Sequence, residues 1–446
     1  MLIHIISIGG SVMHNLAIVL KKKGSQITGS DDEIYEPSKS RLKNYGLHPN
    51  RMGWNPDRLT EEIDLVILGM HAKSDNPELK KAQDLGIRIM SYPEFVYEQS
   101  KDKIRIVVGG SHGKTTTTSL IMCCLKYCGF DFDYLIGAKV EGFEDMLSLT
   151  DAPMIVIEGD EYLSSAIDRR PKFLHYNPNI AVLTGIEWDH INVFPSFEDY
   201  KHQFHLFIKK LRQGSTLIYF ESDPILNAMI SETPEGVKTI SYKALKRNSK
   251  HKIVLGKEEY NTTLFGAHND QNLHAAMLVC KELGILESDF FLAVESYKGA
   301  SRRLERISKV PVCYFDFAHA PSKVRATVEA VRGKHPRRKI VALLELHTFS
   351  SLNASFLPNY KDTLKAVDKA IVFCNRKTFE HKGMKILDKN HIRRSFNSPG
   401  MDIYFEKKEI ENIIHELSSD KTPVILIMSS GNFGGVPIKQ IFTNGI

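Results

Sequence analysis

The sequence predicts an α/β protein of three domains, each organised around a mostly parallel sheet. Two observations carry that expectation. Short apolar runs alternate with helix-length stretches along most of the chain, the pattern of strand–helix–strand crossovers. A chain of 446 residues has room for two to four domains with cores of their own. The expected divisions are 1–103, 104–308 and 309–446, the first marked by the charged stretch "YEQSKDK" (97–103).

The first block opens with "LIHIISIGG", an apolar run that ends in glycines. A helical stretch, "SVMHNLAIVLKKKG", and a second strand, "SQITGSDD", follow. Strand, turn, helix, strand and acidic residue outline a Rossmann-like nucleotide-binding unit. Gly10 and Ser11 in its turn and Asp31 after its second strand are therefore candidates for holding a nucleotide substrate. "DLVILGM" (64–70) and "IRIMS" (87–91) read as further strands.

The second block starts at "IRIVVGG" and carries the strands "MIVIEGDE" (154–161) and "IAVLTGIEWDH" (180–190), then a helix ending near Leu211. A more irregular part follows, with one clear helix in "GAHNDQNLHAAMLVCKELG" (266–284). The third block alternates again and is also Rossmann-like: "VCYFDFAHAP" (312–321), helix, "KIVALLELH" (339–347), helix, "AIVFCN" (370–375), "MDIYFE" (401–406), helix, and "PVILIMSSGNFGG" (423–435).

Composition excludes several classes. Hydrophobic residues are 42% and charged residues 25%, an ordinary globular balance, and the net charge is only +6. The densest basic cluster, "VRGKHPRRKI" (331–340), is accounted for by a solvated loop, so no nucleic-acid partner is expected. No apolar run has the length of a membrane span. The opening "MLIHIISIGGSVMH" lacks a basic n-region and a small-residue cleavage site, so no signal peptide and no membrane partner are expected. Six cysteines in so long a chain make no disulfide framework. Cys123, Cys124 and Cys128 read as small buried helix residues, since no paired ligands stand at zinc spacing. A cytoplasmic protein is expected, with access to ATP and nucleotide sugars.

The strongest chemistry lies in "VVGGSHGKTTTT" (107–118). Glycines let backbone N–H groups approach phosphate oxygens, and a helix N-terminus adds partial positive charge. Gly110, Ser111, His112, Gly113 and Thr116 would form this cradle, a P-loop type of ATP site. Lys114 would bring a point charge to the β- and γ-phosphates, and Thr115 a hydroxyl to Mg²⁺. The full pattern wants glycine where Val108 stands, so this is a shortened variant. A glycine turn before a threonine-capped helix would use the same residues, but the flanking strand and helix are what the phosphate cradle requires. Phosphate-bound Mg²⁺ needs oxygen ligands. "IEGDE" offers Glu158, Asp160 and Glu161, and "EWDH" offers Asp189 and His190, all at strand carboxyl ends where ligands of α/β sheets sit. Solvated strand ends would explain Asp160 and Asp189 equally well; Glu158 and His190, taken with the loop, read as functional.

"GSHGKTTT", "EGDE", "EWDH", "GAHNDQN", "SRRLE" and "DFAHAP" stand in the order found in the Mur ligases, and the chain resembles that family along essentially its whole length. The resemblance implies ATP-dependent amide-bond formation in peptidoglycan synthesis, through a carboxylate activated by ATP. It implies a UDP-sugar-binding first domain, a central ATP-binding domain and a third domain for the amine. Lys114 and Thr115 would hold ATP phosphates and magnesium, with Glu158 and His190 as magnesium ligands. Lys114, Glu158 and His190 would thus be the catalytic group. Asn269 and Asn272, three apart and so on one helix face, would contact the adenine side with His268 nearby. Arg303 would reach the phosphates, Asp316 the ribose, and His319 lies beside them. Lys201 falls where several members carry a carbamylated lysine that supports a second magnesium.

Within the family, "TGSDDEIYEPSKSRL", the long spacer "EYLSSAIDRRPKFLHYNPNIAVL" and the ending "ILIMSSGNFGGV" resemble the members that join UDP-N-acetylmuramate to a recycled L-alanyl-γ-D-glutamyl-meso-diaminopimelate tripeptide. Four departures stand out. Ser7 and His14 replace glycines in the first turn, Ala320 replaces a histidine, and His347 stands where those members carry arginine, facing the incoming amine. Addition of L-alanine or another Mur-type reaction remains the alternative. A switch or motor ATPase would use an arginine finger and an oligomer and have no need of the first block. An NAD-dependent oxidoreductase is suggested only by the opening unit, whose S-I-G-G-S-V is not G-x-G-x-x-G.

Overall fold

The computed structural model describes residues 1–188, 191 and 193–443. Strands β1 (Leu2–Ile6), β2 (Gln26–Ser30), β3 (Leu65–Leu68) and β4 (Ile89–Ser91) form a parallel sheet in the order β2-β1-β3-β4. The order reverses beside β1, and the carboxyl end of β1 is the crevice where a nucleotide sits in such sheets. The helix Ser11–Lys22 follows β1 directly, as the sequence predicts.

The second sheet holds β5 (Ile104–Gly109), β6 (Asp133–Leu135), β7 (Leu147–Ser148), β8 (Met154–Glu158), β9 (Ile180–Leu183), β10 (Thr216–Phe220) and β11 (Lys238–Tyr242). Its order is β11-β10-β9-β5-β8-β6-β7, and only the β6–β7 pair is antiparallel. Strand β5 therefore lies between β8 and β9, so the loop leaving β5 is flanked by the ends of both. The part expected to be irregular contributes β10 and β11 to this sheet. It also forms a three-stranded antiparallel sheet of β12 (Lys246–Arg247), β13 (Ile253–Leu255) and β14 (Glu258–Tyr260).

The last sheet runs β15-β16-β20-β17-β18-β19, from β15 (Glu305–Lys309), β16 (Val312–Asp316), β17 (Ile340–Glu345), β18 (Lys369–Phe373), β19 (Asp402–Tyr404) and β20 (Val424–Met428). All its pairings are parallel except β15–β16. Strand β15 thus crosses the division expected at 308/309. Alternate residues of the central strands enter two cores: Ala342, Leu344, Leu426 and Met428 face one, Val341, Leu343, Ile425 and Ile427 the other. Burial on both faces explains why these strands read as continuous apolar runs.

One expected helix is absent. Between β17 and β18 the chain makes turns and a single 3-10 helix, Leu357–Tyr360. Leu352, Phe356, Leu357, Tyr360 and Leu364 are buried at helix-like spacing. Pro358 cannot donate to a helical ladder, and Asp362 adopts φ +61°, outside the helical region.

The chain divides into two compact units. One comprises residues 1–186, 201–243 and 275–293, the other 187–200, 244–274 and 294–446. No helix among the described residues is long and apolar enough to cross a membrane.

Within the first unit, Arg105 on β5 fixes the segment between the first two sheets. It is 6% exposed. Its guanidinium donates to the carbonyls of Ser100 (2.7 Å), Lys101 (2.6 Å), Lys103 (2.9 Å), Tyr176 (2.9 Å) and Asn177 (3.0 Å). Replacement by Met keeps the apolar stem and removes all five of these hydrogen bonds, leaving the Ser100 carbonyl only the Lys103 N–H. Arg105→Met should destabilise the protein by about 3 kcal/mol, read as a shift of the denaturant midpoint; a shift under about 0.5 kcal/mol would contradict this role.

Candidate active site

The site is built where β5 ends. Gly110 has φ +123° and Gly113 φ +80°, both in the region that favours glycine. A Cβ at Gly110 would stand 2.8 Å from the Thr184 backbone nitrogen after β9, so glycine is also needed for close approach. Ser111 N–H donates to the Gly185 carbonyl at 3.0 Å, and Thr184 Oγ1 donates to the His112 carbonyl. The loop is thereby tied to the neighbouring strand before the helix Lys114–Tyr127 begins. Val108, where the full pattern wants glycine, is a β5 residue paired with Glu158, so the cradle starts one strand residue later.

Lys114 Nζ donates to Glu161 Oε2 and to the Gly110 carbonyl, both at 2.6 Å. Burial works against its charge, but Glu161, Asp160 and Glu158 outweigh it and hold the ammonium above the usual lysine range. Thr115 Oγ1 donates to Glu158 Oε1 at 2.7 Å, and Gly137 N–H donates to Glu158 Oε2 at 2.7 Å. A hydroxyl and a carboxylate side by side form a hard-oxygen donor set that fits Mg²⁺. Thr116 is buried in the first helical turn. Asp160 pairs with Lys172 Nζ at 2.5 Å, a partner the sequence reading did not single out. Asp189 and His190 lie outside the described residues. Lys201 is half-buried on the helix Phe197–Lys209. Glu94, Asp168 and His175 also converge, but Arg170 lies 2.6 Å from Asp168 and 3.6 Å from Glu94, so the group is an ion-paired staple.

In the first sheet, Gly9 N–H donates to Asp31 Oδ2 at 2.7 Å. Gly10 precedes the helix, which starts at exposed Ser11. Ser7, where glycine is usual, takes the left-handed conformation at φ +65° and keeps the turn at a conformational cost. His14 is buried against the Gly10 carbonyl (2.9 Å) and Ser38 Oγ (3.0 Å), and burial lowers its pKa. It packs the helix against the following segment.

The second unit holds the other candidates. Asn272 Nδ2 donates to Asn269 Oδ1 at 3.4 Å, and Asn269 Nδ2 to the Phe265 carbonyl at 2.9 Å, so the two amides share one face. His268 is half-buried; burial lowers its pKa while Asp316 and Asp270 oppose the shift. Asp316, at the end of β16, accepts from Thr327 Oγ1 at 2.6 Å. His319 Nδ1 lies 2.8 Å from the Phe317 carbonyl, and the Arg303 guanidinium lies over the Phe317 ring at 4.6 Å.

A second cluster stands at the ends of β17 and β20. Glu345 is 1% exposed and accepts from Phe433 N–H (2.9 Å) and Ser429 Oγ. His347 Nδ1 lies 3.9 Å from Glu345 Oε1. Burial lowers the pKa of this imidazole, Glu345 opposes that, and Lys382 and Arg302 add to it. Arg302, the unnamed neighbour of Arg303, donates to the Ser429 carbonyl at 3.0 Å and lies over Phe315 at 4.6 Å. Among consecutive arginines, nothing in the sequence says which one turns toward the glycine turn.

Asp31 generates a pH prediction. Burial, then its hydrogen bond and charge repulsion with Asp32, raise its pKa to about 7, against the opposing Gly9 N–H bond. The folded state therefore retains a proton that the unfolded chain loses near pH 4, and stability falls as pH rises from about 4 through 7. Asp31→Asn should gain in melting temperature relative to the parent as pH goes from 5 to 8. A difference independent of pH would contradict the assignment.

Comparison with known proteins gives the geometry its family. The sequence pattern described as "Mur ligase middle domain" matches residues 108–280, and that described as "Mur ligase family, catalytic domain" matches residues 2–103. The UDP-N-acetylmuramate–L-alanyl-γ-D-glutamyl-meso-2,6-diaminoheptandioate ligase of Escherichia coli K12 is 31% identical over 360 residues, 77% of this chain and 79% of the relative. The UDP-N-acetylmuramate–L-alanine ligase of a Sulfurihydrogenibium species is 28% identical over 96% of this chain and 95% of the relative. The crystal structure of a murein peptide ligase from Psychrobacter arcticus superposes with a TM-score of 0.72 at 24% identity, covering 100% of this chain and 98% of that one, a likeness of fold. The chain belongs to the Mur ligase family of ATP-dependent, amide-bond-forming ligases.

Proposed function

We propose that this ligase joins UDP-N-acetylmuramate to an L-alanyl-γ-D-glutamyl-meso-diaminopimelate peptide, in peptidoglycan recycling in the cytoplasm. The observation that carries the peptide assignment is the 31% identity to a relative named for that reaction. Residues 1–103 would bind the UDP-sugar, 104–308 ATP, and 309–446 the peptide amine.

In this reading the lactyl carboxylate attacks the γ-phosphorus of ATP, the bond to ADP breaks, and an acyl phosphate forms. Lys114 exchanges Glu161 for phosphate oxygens and offsets the charge that develops there. Thr115 and Glu158 would hold Mg²⁺, with His190 as a further ligand; bound there, Mg²⁺ would neutralise phosphate charge. Gly110, Ser111, His112, Gly113 and Thr116 cradle the phosphates. Asn269, Asn272 and His268 would serve the adenine, Asp316 and His319 the ribose side, and Arg303 the phosphates. Gly10, Ser11 and Asp31 would hold the UDP part. The peptide amine then attacks the acyl carbon, phosphate leaves, and the amide remains. Lys201 would take part only as a carbamate.

A second reading, addition of L-alanine alone, has two observations in its favour. A relative named for that reaction aligns over 96% of the chain, and His347 replaces the arginine expected of peptide-adding members.

Incubation with ATP, Mg²⁺, UDP-N-acetylmuramate and either the tripeptide or L-alanine, read by mass spectrometry, separates the two. The proposal expects UDP-muramyl-tripeptide. UDP-muramyl-alanine as the sole product would transfer the assignment to the second reading. Lys114→Ala should lower turnover by at least about 10²-fold; near-parental turnover would remove Lys114 from the phosphoryl transfer.

A further inference from the structure

Lys172 is a buried cation whose position the family motifs do not explain. It is 8% exposed. Its ammonium lies 2.5 Å from Asp160 Oδ2 and 5.6 Å from the ring centroids of both Tyr92 and Tyr162. Removing an ammonium from water is costly, and an apolar side chain could fill the space between two tyrosine rings. The excursion from 160 to 172 is also closed without it. Lys172 N–H donates to the Tyr162 carbonyl (2.9 Å), Phe173 N–H to the Asp160 carbonyl (3.0 Å) and Ser164 N–H to the Arg170 carbonyl (3.0 Å). The staple of Arg170 and Asp168 fixes its tip.

Its surroundings suggest a use. On one side, Asp160 also acts on Lys114, so Lys172 borders the phosphate cradle through a shared carboxylate. On the other side lies Tyr92, directly after β4, with its ring centroid 5.6 Å from the ammonium. Burial lowers the pKa of His71, in the loop after β3, and the Lys172 charge adds to this while Asp32 opposes it. Asp32 in turn follows β2 beside Asp31. Lys172 therefore stands between the carboxyl end of β4 in the first sheet, through Tyr92, and the end of β8 beside the phosphate cradle, through Asp160, within one compact unit. An acid substrate held by its nucleotide at the first sheet and phosphorylated at the second would bring its carboxylate near that place. The acidic residues Glu158, Asp160 and Glu161 would repel this carboxylate if no cation faced it. Lys114 is committed to phosphate in the proposed mechanism.

We propose that Lys172 binds the carboxylate of the acid substrate and steers it toward the phosphate cradle, releasing Asp160, whose side chain is 35% exposed, as it does so. This rests on the reading that the acid substrate is a UDP-sugar acid.

The test compares binding of UDP-N-acetylmuramate with UDP-N-acetylglucosamine, which lacks the lactyl carboxylate, by calorimetry on the full chain. The parent should prefer the acid by at least about tenfold. Lys172→Met should bring the two affinities within about twofold, and Lys172→Arg should restore part of the preference. ADP binding and the melting temperature report whether the Met variant is folded. If it is not, Lys172→Gln is measured in its place. An unchanged preference in a folded neutral variant overturns the role of Lys172 alone. A parent that binds neither sugar overturns the functional reading itself, and this inference with it.

Discussion

Three carboxylates at the end of one buried strand dominate the candidate site. Glu158, Asp160 and Glu161 would repel one another and any phosphate brought to them, so each must be matched. Thr115 Oγ1 and the Gly137 amide serve Glu158, Lys172 serves Asp160, and Lys114 serves Glu161. The strand order makes this pairing geometrically available, because β5 and β8 are neighbours and their carboxyl ends open on the same edge. The acidic residues thereby occupy the two lysines, Lys114 and Lys172. In the proposed reaction, binding of nucleotide and acid would be an exchange of partners, which would limit the cost of keeping charges buried between turnovers.

Much of this was legible in the sequence because it is local. The glycine–lysine–threonine run and "EGDE" each declare themselves within a few residues, and a strand before a glycine loop before a helix has few other readings. What escaped depends on distant partners. Lys172 looks like a surface lysine until the chain folds back on Asp160. Glu345 reads as the end of an apolar strand, and its donors, Ser429 and Phe433, arrive from the turn that follows the last strand. Arg105 interrupts an apolar run and gains its meaning from five carbonyls on either side.

The fold shows the same division. Strands buried on both faces, such as β17 and β20, were readable as apolar runs. Strand β11 was not, because its exposed edge position admits polar residues in "KTISY". The segment after β17 misled in the opposite sense: its apolar spacing is helical, but Pro358 and the left-handed Asp362 turn the same residues into a packed loop. Periodicity reports which residues are buried and is silent on a backbone that reaches that burial by turns.

In the proposed reaction ATP activates a carboxylate for amide formation. UDP-N-acetylmuramate labelled with ¹⁸O in its lactyl carboxylate tests it directly, in a complete reaction with ATP, Mg²⁺ and the amine substrate. Attack of the carboxylate on the γ-phosphorus, followed by loss of phosphate from the acyl carbon, must carry one labelled oxygen into inorganic phosphate. Label in phosphate is the predicted result. Amide formed with unlabelled phosphate would show that the carboxylate is activated in some other way and would contradict the account.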